Sequence, residues 1–242
     1  MKGVILAGGK GMRLYPLTKV TNKHLLPVGR EPMILNPIKQ LTYAGIKDIL
    51  VVTSKEHMGD VVNLLGSGKE YGCDFTFKVQ EESLGIAHAL LLCENFANNE
   101  PIIVILGDNI LTNSIKNFVN NFKSQQIGAR VLLKKVGDPE RYGVAAIDEK
   151  KIFQIEEKPL EPKSDYAVVG IYAYDNKVFE IIKDIKPSSR GEFEITAVNN
   201  VYIEKCELEF DMIEGKWTDA GTFESLLYAN QILFEVNNEI TD

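Results

Sequence analysis

The sequence predicts an α/β fold: one Rossmann-like domain with a mixed, mostly parallel central sheet flanked by helices. Three observations carry that expectation. Strand-like and helix-like runs alternate through the first half of the 242 residues. The strand-like runs there are apolar along their whole length, as strands covered on both faces are. The second half changes to short strands joined by turns, which extend or cap the same sheet.

Taken in order, Val4–Ala7 in MKGVILA reads as a buried strand that runs into glycines. A helical pattern covers Ile34–Ala44, with Gly45 as its C-cap, and Ile49–Thr53 is β-branched enough for a buried strand. Met58–Leu65 repeats the helical pattern and stops at Gly66-Ser67-Gly68. Phe75–Val79 reads as a strand, Ile86–Phe96 as a helix and Ile102–Leu106 as another apolar strand. Short strands are expected at Ala129–Lys135, Gly143–Ile147, Ile152–Glu157 and Ala167–Tyr174, with turns at Asp138-Pro139 and Asp148-Glu149. Helices are expected around Lys177–Ile182, Thr196–Glu204 and Phe223–Glu235.

Composition excludes several classes. With 45% apolar and 25% charged residues the chain is an ordinary globular one, neither disordered nor fibrous. A net charge of −7 argues against a general nucleic-acid binder. Positive charge is instead local: Lys10, Arg13, Lys19, Lys23 and Arg30 all precede the first acid, Glu31. The three cysteines, Cys73, Cys93 and Cys206, form no C-x-x-C pair and fit a reducing compartment. No apolar run approaches the length of a membrane span, and the run after Met1 is too short for a signal peptide, so a cytoplasmic location without membrane partner is expected.

The candidate site begins at the end of the first strand, with Gly8-Gly9-Lys10-Gly11-Met12-Arg13. Glycines leaving a strand let backbone N–H groups come close to phosphate oxygens. A Rossmann dinucleotide loop needs G-x-G-x-x-G and an acid after the second strand; here Thr53-Ser54-Lys55 stands there instead. A P-loop needs G-K-[ST], but Gly11 follows Lys10. A structural turn is left open, though it gives no account of Arg13 and Lys23.

Asp108, in Leu106-Gly107-Asp108-Asn109, stands at the carboxyl end of an apolar strand, where ligands of parallel sheets bind. By itself it fits a metal ligand or a turn aspartate equally. Asp219, in Trp217-Thr218-Asp219-Ala220-Gly221, supplies the second carboxylate that Mg²⁺ commonly takes. Glu156-Glu157-Lys158-Pro159 offers acceptors for sugar hydroxyls beside a cation for a phosphate, or is a plain surface pair. Gln80 and Gly85 sit at a strand-to-helix turn, where an amide can pair with a base edge. His24, His57 and His88 show no metal or nucleophile spacing.

Together these segments, with Lys23-x-Leu25-Leu26-Pro27-Val28, Arg141-Tyr142-Gly143-Val144 and Gly191-Glu192-x-Glu194-Ile195-Thr196, resemble the sugar-phosphate nucleotidyltransferases from Met1 to about Leu227. The nearest likeness is to short forms acting on dTTP and glucose 1-phosphate. The resemblance implies transfer of a thymidylyl group, giving dTDP-glucose and pyrophosphate with Mg²⁺ as cofactor; UTP or another sugar 1-phosphate is the alternative. It implies one domain over 1–242, with nucleotide bound by about 1–110 and sugar phosphate by about 111–230. Arg13 and Lys23 would be catalytic. Leu6, Gly8, Gly9, Gly11, Arg13, Gln80, Gly85 and Asp108 would bind the nucleotide. Asn109, Gly143, Glu157, Lys158 and Val168 would bind the sugar phosphate, and Asp108 and Asp219 the metal. The product would feed surface polysaccharides of the dTDP-rhamnose type.

The chemistry suits the residues. A phosphate monoester, with a second pKa of about 6, is already an ionised nucleophile, so no general base is required. The obstacle is bringing two anions together, which positioning and charge neutralisation remove. His24 departs from the glutamine usual in longer relatives. The chain also stops soon after the last helix, without the helices that help form a regulatory site there. Feedback inhibition and the tetramer of those relatives are therefore left open, as is a homo-oligomer. A non-catalytic sugar-nucleotide sensor would have lost Arg13, Lys23 or Asp108, and an NAD-linked enzyme would need the other loop spacing.

Overall fold

The protein, seen in a computed structural model, is described over residues 1–148 and 150–239. Its elements begin with β1 (Lys2–Ala7), β2 (Pro27–Val28), β3 (Glu31–Pro32), α1 (Leu35–Tyr43), β4 (Asp48–Ser54), α2 (Met58–Leu65) and β5 (Asp74–Gln80). Next come α3 (Ile86–Leu91), α4 (Glu94–Ala97), β6 (Ile102–Leu106), β7 (Asn109–Leu111), α5 (Lys116–Gln125) and β8 (Ala129–Lys135). The chain ends with β9 (Gly143–Asp148), β10 (Lys151–Glu157), β11 (Tyr166–Tyr174), α6 (Val178–Asp184), α7 (Ile195–Glu204), β12 (Leu208–Met212), β13 (Trp217–Asp219) and α8 (Phe223–Glu239). The fold is α/β with a mixed, mostly parallel central sheet flanked by helices.

The chain packs as two compact units interleaved in sequence. The first holds residues 3–83, 105–116 and 214 onward. Its β1, β4 and β5 are parallel, with Ala7 opposite Thr53 and Ser54 opposite Gln80, so their carboxyl ends align. Val4, Ile5, Ile49, Val51 and Val52 are wholly buried, which accounts for their unbroken apolar character. Helix α1 ends at Ala44-Gly45, where Gly45 takes φ 83° and its N–H returns to Thr42 O. Two polar side chains of α1 serve β7 and its neighbour. Asn36 bonds both the N–H and the C=O of Leu111, and Gln40 accepts from the N–H of Ile115. A second core under α8 joins Leu14, Leu26, Val28, Met33, Ile110 and Ile232.

The second unit holds residues 1–2, 84–104 and 117–213. Strands β10, β9, β11 and β8 pair antiparallel in that order, and β12 adds to β8 in parallel. Helix α7 packs a buried polar knot against them. Tyr174 Oη donates to Asn199 Oδ1 at 2.6 Å and Tyr202 Oη to Asp175 Oδ1 at 2.8 Å, while Gly128 N donates to Asp175 Oδ2.

Most expected elements stand within a residue or two. The helix expected over 86–96 is instead two, because Cys93 N bonds Leu90 O and breaks the regular ladder between α3 and α4. Helix α5 and the strands β7, β12 and β13 were not expected. Asparagine-rich α5 buries only Phe118, Val119 and Phe122. The expected turn at Asp148-Glu149 falls at Glu149, outside the described residues.

Asp175→Ala should lower the unfolding free energy in urea by about 2–4 kcal/mol, since each orphaned buried donor costs about 1–3 kcal/mol. The exposed Asp165→Ala should stay within about 0.5 kcal/mol. Equal effects would show that the knot is not stabilising.

Candidate active site

In the first unit, β1 delivers Gly8, Gly9 and Gly11 at its carboxyl end, and successive contacts join them to the other candidate residues. A Cβ on Gly8 would lie 2.6 Å from Gln80 Oε1, so the Gln80 amide rests directly on the loop. Lys23 lies over Gly9, with Cε 3.5 Å from where a Cβ would be. Gly11 is left-handed at φ 64°, and a Cβ there would lie 2.7 Å from Thr18 Cγ2; glycine takes this corner without strain. Leu6 is buried, and its carbonyl accepts from Gly107 N, which ties the loop's root to the end of β6.

Lys23 opens a 3-10 turn capped by Asn22, whose Oδ1 accepts from His24 N. From there Lys23 Nζ donates to Asp108 Oδ2 at 2.5 Å, with the two side chains only 13% and 12% exposed. Burial alone would push the Asp108 carboxyl up. The Lys23 charge, its hydrogen bond and that of Asn109 reverse this and hold it well below the usual carboxylate range. His24 is buried against Gly107, and burial followed by the Lys23 charge pushes it down to about 3. It is neutral at physiological pH and hydrogen-bonds Asn22 Oδ1 through Nδ1.

Asp219 reaches the same place from the far end of the sequence. β13 pairs antiparallel with β7, setting Asp219 opposite Asn109, and Ala220 N donates to Asp108 O at 2.8 Å. The Arg13 guanidinium and the Asp219 carboxylate both face the α-carbon of Gly221, where a Cβ would lie 2.9 and 3.3 Å from them. Two carboxylates next to a glycine loop are hard-oxygen donors suited to Mg²⁺, which takes one or two and fills its shell with phosphate and water. Among the described residues no group of three or more His, Cys, Asp and Glu gathers, so an all-protein cage of the zinc kind does not fit.

The second unit brings Gly143, Glu157 and Val168 together on β9, β10 and β11, with Gly143 opposite both Glu157 and Val168 and Lys158 just past the end of β10. Thr196 Oγ1 donates to Glu157 Oε2 at 2.6 Å. Lys158 is half exposed, 3.9 Å from Glu157 Oε1, and holds φ 46°, a left-handed backbone that costs a side-chain-bearing residue energy. Gly85 also belongs to this unit. Its φ is 104° and a Cβ would meet Phe193 O at 2.6 Å, so the 193 backbone already demands glycine there. Asn109 belongs to the first unit, bonded to Trp217 and Asp108.

Sequence reasoning missed Arg190, which pairs with Glu194 at 2.9 Å and lies 3.6 Å from Glu157. It also missed the grip of Thr196 on Glu157. Both adjoin or belong to the G-E-x-E-I-T segment, which was the available signal. A helix end and an arginine fork beside a sugar-type acceptor are what an anionic sugar needs.

A glycine cradle, paired cations and two carboxylates at the strand ends define a phosphate-transfer protein of the α/β class. The family model described as nucleotidyl transferase matches residues 2–235, and the chain belongs to that family. It is 43% identical to the glucose-1-phosphate thymidylyltransferase of Neisseria meningitidis, over 98% of this chain and 84% of that one. The nucleotidyltransferase Agl11 of low-salt glycan biosynthesis in Haloferax volcanii is 37% identical, over 97% and 66%. A candidate glucose-1-phosphate thymidylyltransferase from Bacillus anthracis, solved with sucrose, superposes with a TM-score of 0.92 and 58% identity over 96% and 94%. UDP-glucose pyrophosphorylase with UDP-glucose gives 0.86 and 26% over 97% and 98%. Among the described residues no helix is long and apolar enough to cross a membrane.

Removing the cation of a buried pair strands the other charge. Lys23→Met should therefore cost about 3–5 kcal/mol in urea unfolding. The double variant Lys23→Met/Asp108→Leu should recover most of it. A double variant as unstable as Lys23→Met would mean the loss comes from packing.

Proposed function

We propose that the chain transfers a thymidylyl group from dTTP to α-D-glucose 1-phosphate, giving dTDP-glucose and pyrophosphate. The observation that carries this reading is the Lys23–Asp108 pair set against Gly9. It puts an ammonium at a phosphate cradle and an ionised carboxylate at a strand end. Likeness to glucose-1-phosphate thymidylyltransferases supports the choice of base and sugar.

The backbone of Gly8, Gly9 and Gly11, with Arg13, would hold the triphosphate. An ammonium has three donors, so Lys23 can keep Asp108 and still bind phosphate oxygens at the reacting centre. Gln80 would read the thymine edge, with Leu6 beside the nucleotide. Glu157, steadied by Thr196, would accept from sugar hydroxyls, and Lys158 would meet the sugar phosphate near Gly143 and Val168. The labour divides near residue 110, with Asp219 returning to the nucleotide part.

A phosphate oxygen of the sugar attacks the α-phosphorus in line. That O–P bond forms as the bond to the bridging oxygen breaks, and pyrophosphate leaves with the electron pair. No proton has to be removed. His24, held neutral, contributes neither charge nor base. Mg²⁺ on Asp108 and Asp219 would neutralise charge on the phosphate oxygens. Arg13 and Lys23 are then left to oppose the repulsion between the two anions. The free cysteines suit a cytoplasmic enzyme.

A second reading, the same reaction with UTP, is favoured by the likeness to UDP-glucose pyrophosphorylase. Pyrophosphate release across dTTP, UTP, CTP, GTP and ATP with several sugar 1-phosphates decides between them. dTTP with glucose 1-phosphate should turn over fastest, and a tenfold preference for UTP would reverse the choice. Arg13→Ala should lower kcat by about 10²–10³-fold. Glu157→Gln should raise KM for the sugar phosphate and leave KM for the nucleotide unchanged. Unaltered turnover in Arg13→Ala would remove that residue from the catalytic set.

A further inference from the structure

Trp217 and Asn109 share a buried contact for which phosphate binding alone has no use. Trp217 stands on β13 opposite Leu111, and Asp219, two residues on, stands opposite Asn109. Side chains two apart on a strand leave the same face, and directly opposed residues share it. Asn109 therefore shares a face with both the indole and the Asp219 carboxylate. Its amide links the two strands to the putting-in-place of Asp108. Trp217 Nε1 donates to Asn109 Oδ1 at 2.8 Å, and Asn109 Nδ2 donates to Asp108 Oδ1 at 3.1 Å. Lys23 takes the other carboxylate oxygen.

The direction of this chain is not arbitrary. An indole N–H only donates, so Asn109 has to turn its oxygen to Trp217 and its NH₂ to Asp108. A flipped amide would set an oxygen against a carboxylate oxygen and leave the indole N–H facing another donor. Trp217 and Asn109 are more than nine-tenths buried, so water cannot make up the loss. If filling space were the whole purpose, a phenylalanine ring would do nearly as well.

We propose that Trp217 is a positioning residue: acting through Asn109, its indole N–H fixes the Asp108 carboxylate relative to Asp219 and so sets the affinity for a divalent cation. The inference rests on the metal reading of Asp108 and Asp219 given above. Partners one shell outside a metal ligand typically change metal affinity 10–100-fold when removed.

The test is Mn²⁺ binding to the purified full chain with dTTP present, read from the paramagnetic resonance of free Mn²⁺. Trp217→Phe should weaken Mn²⁺ by roughly 10-fold or more. It should raise the Mg²⁺ concentration needed for half-maximal pyrophosphate release and leave KM for glucose 1-phosphate unchanged at saturating metal. Trp217 is the only tryptophan in the chain, so growth on an analogue with sulfur in place of the indole N–H edits this one bond. That protein should show the same shift, and it serves if Trp217→Phe does not fold. Asp108→Asn separates the two ideas. If it abolishes Mn²⁺ binding while the tryptophan variants bind within twofold of the parent, the positioning role is wrong and the metal site stands. If Asp108→Asn binds Mn²⁺ as the parent does, both fall.

Discussion

A carboxylate buried at the end of β6 has to be met by a cation, and the Lys23–Asp108 ion pair is the interaction around which the first unit is arranged. Desolvating Asp108 alone would be costly, and the ammonium at 2.5 Å offsets it. Lys23 can reach only because its backbone is in a tight turn. Asn22 caps that turn, and the neutral His24 ring anchors it through the same Asn22 oxygen. Gly107 leaves room for that ring, since a Cβ there would lie 2.7 Å from His24 Cδ2. The pair is thus the end of a chain of steric and polar conditions, each set by an identifiable residue.

The same pair constrains what passes over it. Gly9 lies under the lysine stem, and Gly11 must be left-handed beside Lys23 Cβ. The loop is therefore shaped by contacts within the protein itself, as preorganised charge neutralisation requires. In the second unit Glu157 is prepared in a comparable way, by a short hydrogen bond from Thr196 and a guanidinium 3.6 Å away. In each unit the candidate ligand-binding carboxylate is tied to a partner that restricts its rotamer.

Much of this was legible in the residues. The apolar strands β1, β4 and β6 announced themselves because burial on both faces leaves only one kind of side chain. That the glycine loop, Arg13, Lys23, Asp108 and Asp219 belong to one cluster was legible because phosphate and metal chemistry, the grounds for singling them out, draw on few residue types. Helix α5 was not, because its asparagines dilute a stripe of only Phe118, Val119 and Phe122. Strands β7 and β13 are three residues each, too short for any periodicity, yet they alone bring Asp219 opposite Asn109. Arg190 escaped because its meaning lies in contacts with Glu157, Glu192 and Glu194 that only folding creates. The demand for glycine at position 85 was not legible, because it comes from the backbone at Phe193, more than a hundred residues away.

The seat of Gln80 on Gly8 has a consequence for anyone wishing to change the preferred base. The amide that would discriminate bases and the glycine that would cradle phosphate touch each other, with no spacer between them. A larger or differently shaped residue at position 80 presses on the loop, and any side chain at position 8 displaces the amide. With those roles, base preference and phosphate grip would be one mechanical element. Directed evolution of substrate range should find its productive substitutions in pairs, since a change at either position alone alters both properties at once.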